Sequence, residues 1–93
     1  MKGKLICYTL GKADPTVRSL FKRELNGYKD VSNNGKYQYK REGLLHKIRH
    51  KMPIRSVIIV EAKDKNKVTR LLSKYKAKYH VFSIDINPNE LRT

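Results

Sequence analysis

Apolar and polar positions alternate along this chain with periods that change every ten to twenty residues, so the elements can be read in order. Leu5-Ile6-Cys7-Tyr8-Thr9-Leu10 is an apolar run, and Lys4 to Leu10 reads as a strand. Gly11-Lys12-Ala13-Asp14-Pro15 then supplies a turn, with Asp14 as N-cap and Pro15 at the first helical position. Val17, Leu20, Phe21 and Leu25 recur at helical spacing, and Asn26-Gly27 is a stop signal. A helix is predicted from about Pro15 to about Asn26.

Tyr28 to Val31, Ser32-Asn33-Asn34-Gly35 and Lys36 to Lys40 read as a short strand, a tight turn and a second strand, because Asn-Gly accepts positive φ. Between Gly43 and Pro53, Leu44, Leu45 and Ile48 fit one helical turn and Pro53 closes off what precedes it; the segment reads as a basic connection. Ile54 to Ala62 is a near-continuous apolar run rich in β-branched residues, which predicts a central strand covered on both faces. Asp64 then caps a second helix from about Lys65 to Ala77, with Val68, Leu71, Leu72 and Tyr75 as its buried stripe. Tyr79 to Ile86 returns as a strand with Phe82, Ile84 and Ile86 on one face, and Pro88 ends the ordered part.

The order is β-α-β-β-α-β with an extra short strand before the Asn-Gly turn. Both helix stripes are buried most simply on one face of an antiparallel sheet, so the expected fold is α+β, a ferredoxin-like sandwich. At 93 residues the chain is one domain, residues 1–93, with an ordered core at about 4–87.

Charge changes the picture most. Twenty-two Lys and Arg against eight Asp and Glu give a net charge of +14, which points to a polyanionic partner, DNA or RNA. Cys7 is the single cysteine and excludes an intramolecular disulfide; it fits a reducing setting, cytoplasmic or nucleoid-associated. The apolar run near the N-terminus is far shorter than the roughly 20 residues of a membrane span, so no membrane partner is expected. Nothing in the sequence specifies an oligomeric state.

Two basic clusters are the candidate nucleic-acid contacts. Lys63, Lys67, Arg70, Lys74 and Lys78 are spaced to fall within roughly 80° on a helix, a stripe about 22 Å long, with no acid between Lys65 and Lys78 to relieve it. The second cluster holds Lys36, Lys40, Arg41, Lys47, Arg49 and Lys51. Within it Tyr37 and Tyr39 alternate with Lys36, Gln38 and Lys40, so one face of the strand carries rings and the other donors. Those rings serve equally as a core face or as a platform for bases, with at least one expected to be exposed.

Gly35-Lys36-Tyr37-Gln38-Tyr39 is loosely similar to the longer motif of RNA-recognition domains but falls on the second strand, and Leu5 to Leu10 has no aromatic where the shorter motif needs one. The small CRISPR adaptation nuclease of the same fold would need an aspartate where Tyr8 and Thr9 stand. Neither family is assigned. Val60-Glu61-Ala62-Lys63 resembles the E-x-K half of the PD-(D/E)xK nucleases, in which carboxylates hold Mg²⁺ and the lysine orients water. That resemblance implies Glu61 and Lys63 as catalytic, Asp30 or Glu42 as the upstream carboxylate and Glu24 as a helix partner, in a structure-specific nuclease. Eight acids among so many lysines produce roughly one acid-x-Lys by chance, and the chain has one.

His46 and His50 have metal-ligand spacing, but Lys47, Arg49 and Lys51 would repel a cation, so no metal is expected. No glycine-rich phosphate loop or activated nucleophile is present. Binding without a cofactor is the leading expectation, with Mg²⁺ only for the nuclease alternative. A basic subunit of a ribonucleoprotein or viral assembly is the third reading.

Overall fold

Asp14 and Pro15 start a helix where the spacing predicts one. Asp14 Oδ1 accepts from the Val17 N–H at 2.9 Å, and the Gly27 N–H returns to Arg23 O at 2.8 Å, so both helix ends are satisfied. The structure, a computed structural model, describes residues 1–32, Gly35 and residues 37–91, with Ser32 and Tyr37 described by their backbone alone. The elements are β1 (Lys2–Thr9), α1 (Pro15–Asn26), β2 (Tyr28–Ser32), β3 (Tyr37–Arg41), α2 (Leu44–Lys47), β4 (His50–Ile54), β5 (Val57–Glu61), α3 (Lys65–Lys74) and β6 (Lys78–Asp85). Short 3-10 turns lie at Ala62–Asp64 and Pro88–Glu90.

The fold is α+β. Four strands form one antiparallel sheet in the order β4-β5-β1-β6, and β2 and β3 pair in a separate two-stranded ribbon. The plain βαββαβ order expected above is therefore not found, because the ribbon and the short helix α2 intervene and the strand order and helix count differ. The strand at Lys36 to Lys40 was expected in the main sheet. Its place there is taken by β4, from the segment read as a connection. The physical reason is local: Ser56 adopts φ 69 and turns the chain back on itself, so β4 and β5 pair as a tight hairpin. Pro53 is tolerated because β4 is an edge strand with a register irregularity between Lys51 and Ile54.

Helices cover one face of the sheet. Ile6, Ile58 and Val60 have no exposure and pack with Phe21 and Leu25 of α1, Leu45 of α2 and Val68 and Leu72 of α3. The central strand is thus buried on alternate residues only: Val57, Ile59 and Glu61 are half-buried on the opposite face, which corrects the expectation of two covered faces. Leu20, placed in the α1 stripe by its spacing, is exposed.

Helix α3 stops at Lys74, short of Ala77. Lys76 takes φ 57, the Lys76 N–H bonds Ser73 O at 3.1 Å and the Ala77 N–H bonds Leu72 O at 2.9 Å, a left-handed helix stop. Asp64 precedes α3 without a side-chain capping bond; it is buried and pairs with Lys67 at 3.2 Å. Order also extends beyond about 4–87: Met1 and Ile86 exchange hydrogen bonds at 2.8 and 3.1 Å, and Leu91 is buried.

Candidate functional site

The basic stripe is shorter than its spacing implies. Lys63 lies in the 3-10 turn and Lys78 begins β6, which leaves Lys67, Arg70 and Lys74 on α3. Nor is it unrelieved, because acids arrive from outside the helix. Lys63 pairs with Glu61 at 3.6 Å, Lys67 with Asp64 at 3.2 Å, and Lys74 with Glu24 of α1. Among the described residues Arg70 has no ion pair.

Glu24 is the hinge of this arrangement. Its Oε1 accepts from Lys74 Nζ and from Tyr75 Oη, the latter at 2.6 Å. The Lys74 hydrogen bond, then that from Tyr75, holds the Glu24 carboxyl below its usual range; the same contacts raise Lys74 and Tyr75. A groove of about 440 Å³ is lined by Lys47, Lys67, Arg70 and Lys74 together with Glu24 and Glu42. Of the described residues of the second basic cluster, Lys47 alone lines this groove beside α3.

The other described members of that cluster lie on other surfaces. The Arg49 guanidinium donates to Pro88 O and ties down the C-terminal turn. Lys51 stands opposite Ile59, so it lies on the face of the sheet away from the helices, where it lines a groove with Asn89 and Glu90. His46 Nδ1 accepts from the Gly43 N–H at 3.0 Å, and His50 Nδ1 lies 3.1 Å from Ile48 O, so the two histidines serve the backbone.

Lys40, Arg41 and Tyr39 lie on the β2–β3 ribbon, none of whose described residues belongs to the buried core. The register puts Tyr28, Asp30, Tyr39 and Arg41 on one face and Lys29, Val31, Gln38 and Lys40 on the other. Tyr39 is 51% exposed, which removes the core-face alternative for its ring. Arg41 pairs with Asp30 at 3.3 Å and lies 6.0 Å from the Tyr39 ring centre; Arg23 lies 4.9 Å from that of Tyr28. Lys36 lies outside the described residues, as does the side chain of Tyr37.

A third surface brings together cations that sequence reasoning did not single out. Arg18 and Lys22 of α1 and Arg55 of the β4–β5 turn line a groove of about 500 Å³ with Tyr8, Thr9 and Ser56, and no carboxylate lines it. Arg18 is braced by Ala13 O at 3.0 Å and by Gly11 O. Burial raises the pKa of Tyr8, whose ring meets Phe21 edge-on at 5.5 Å. The i, i+4 spacing of Arg18 and Lys22 was a legible signal; the approach of Arg55 is set by the fold.

Of the nuclease constellation, Glu24 and Glu42 line one groove, and Asp30, Glu61 and Lys63 do not line it. Asp30 is on the ribbon and paired with Arg41, Glu42 lines the groove beside α3, and Glu61 ends β5 and pairs with Lys63. Among the described residues no three His, Cys, Asp or Glu side chains are grouped to hold a metal ion. No helix of the described residues is long and apolar enough to cross a membrane. No family model, curated protein or solved structure matches the chain.

Proposed function

We propose that this protein binds nucleic acid, DNA or RNA, by contacts to phosphates with little sequence selectivity. The observation that carries the reading is the groove beside α1: Arg18, Lys22 and Arg55 line it, and no carboxylate does among the described residues. Three cations held together repel one another, and a phosphate chain relieves that repulsion while releasing its own counterions. The groove beside α3 adds Lys47, Lys67 and Arg70, and the ribbon adds Lys29 and Lys40. Contacts of this kind need no cofactor. We also read the fold as a ferredoxin-like sandwich into which the β2–β3 ribbon and α2 are inserted, since β1, α1, β4, β5, α3 and β6 alone run β-α-β-β-α-β.

Fluorescence anisotropy with labelled duplex and single-stranded oligonucleotides over a range of salt tests the reading. Log K is expected to fall with log salt at a slope of about −4 to −6 on duplex DNA, close to −0.9 for each phosphate neutralised. Lys22→Ala with Arg55→Ala should make that slope shallower by about two. A flat salt response of the native protein would remove the proposal.

A further inference from the structure

The face of the sheet opposite the helices is apolar along one line, and the C-terminal segment covers one end of it: Ile86 is buried against Gly3, and Asn89 and Glu90 line a groove with Lys51. Leu5 stands opposite Ile59 on one side and Phe82 on the other, and Lys51 continues the row beyond Ile59. Leu5 and Ile59 are half-buried, whereas Phe82 is 55% exposed. His80 and Lys78 follow on the same side of β6, since Tyr79 and Val81 between them pack against the core. An aromatic ring standing in water beside an aliphatic row needs an occupant or a reason.

Charge selects that occupant. Lys51 and Lys78 accompany the ring on this face together with the His80 imidazole; Glu61 stands at the covered end opposite Gly3, paired with Lys63, and Glu90 lies beside Lys51. A second copy of the chain would bring another +14 of charge against these cations. A nucleobase needs only the ring and its apolar neighbours, and its flanking phosphates carry the charge that the two lysines favour.

We infer that this face is a stacking platform for an unpaired base of a single-stranded nucleic acid, with Phe82 as the ring against which the base lies. The inference rests on the nucleic-acid reading above and adds to it the strandedness of the ligand and the residue that holds its base. Duplex bases are already stacked on one another and cannot reach the ring, so duplex binding is carried by the cationic grooves alone.

The test compares native protein, Phe82→Ala and Phe82→Tyr for binding to a single-stranded oligouridine and to a duplex of the same length. Phe82→Ala is expected to weaken the single strand by about 5- to 150-fold, to leave the duplex within about twofold and to keep the salt slope, because no phosphate contact is lost. Phe82→Tyr keeps a ring and should retain the affinity. Unchanged single-strand binding by a folded Phe82→Ala protein would overturn the platform and leave the phosphate-binding function standing; native protein that binds neither oligonucleotide would remove both. Photo-cross-linking of iodouridine oligonucleotides to the native protein gives the same answer without a variant. Adducts at Phe82 support the platform, and adducts confined to the ribbon tyrosines overturn it. Self-association abolished by Phe82→Ala in sedimentation would assign the face to a second copy and likewise overturn it.

Discussion

Gly27 and Gly43 pass each other at the neck of the ribbon with no room for a side chain on either. A β-carbon on Gly27 would stand 2.9 Å from Gly43 N, and one on Gly43 would overlap Gly27 N. Gly27 also adopts φ 77 and ψ 179, a region almost closed to other residues. It ends α1 and opens β2 within one residue, so the ribbon leaves the body through a contact of two backbones. Gly27→Ala is expected to cost about 2 kcal/mol or more, a melting temperature lower by roughly 8 °C or more. Gly11 also has positive φ, at 60, but faces open space, so Gly11→Ala should cost only about 1 kcal/mol. Equal losses in thermal melts of the two variants would mean that the neck is not crowded.

That neck marks where sequence reasoning reaches and where it stops. Local signals were sufficient for α1, whose cap, proline and glycine stop all act within a turn, and for the alternation of β2 and β3. They could not tell which strand joins the main sheet, because β3 and β4 are both only five residues long and β4 carries Pro53, which argues against a strand, and the choice is made by the Ser56 turn joining β4 to β5. The apolar run at Val57 to Val60 reads the same whether one face or two is covered. The α3 stripe was legible as charge, but its neutralisation by Glu24 connects residues 50 positions apart and leaves no local trace. For the same reason Arg55 beside Arg18 and Lys22 was invisible.

Acid should loosen the contact between α1 and α3. Hydrogen bonds from Lys74 and then Tyr75 hold the Glu24 carboxyl below its ordinary value of 4.5. A carboxyl depressed on folding contributes stability above its unfolded pKa and loses it as pH falls through the folded value. Tyr75→Phe keeps the ring edge-on to Phe21 at 5.7 Å and deletes the hydroxyl. With Glu24 40% exposed, the loss near neutral pH is expected at about 0.5–1 kcal/mol, or roughly 2–8 °C in melting temperature. The gap between the two proteins should narrow from about pH 6 to about pH 3, as Glu24 is protonated in both. A gap that stays constant over that range would mean that ionised Glu24 is not its source.

Tyr39 and Phe21 should respond oppositely to truncation. Phe21 is 2% exposed and meets both Tyr8 and Tyr75, so Phe21→Ala is expected to cost about 3–5 kcal/mol. Tyr39 touches the solvent and the Arg41 guanidinium, and Tyr39→Ala should stay within about 1 kcal/mol of the native protein. Chemical denaturation of both variants checks this, and a large loss for Tyr39→Ala would mean that the ribbon is packed against the body.

Glu24 also restrains the charge of α3, which makes its removal a test of the proposed interface. Glu24→Gln deletes the negative charge that pairs with Lys74 and keeps an amide oxygen able to accept from Tyr75. Lys74 is then free to meet a phosphate beside Lys67, Arg70 and Lys47 in the same groove. One added phosphate contact should raise duplex affinity at low salt and steepen the salt slope by about 0.9. The melting temperature should fall slightly, so affinity and stability move in opposite directions, which damage to the fold would not produce. In a Lys74→Ala background Glu24→Gln should leave the slope unchanged, because the cation it releases is gone. If Glu24→Gln alters neither affinity nor slope in the otherwise native protein, α3 lies outside the interface and the grooves beside α1 must carry the phosphates.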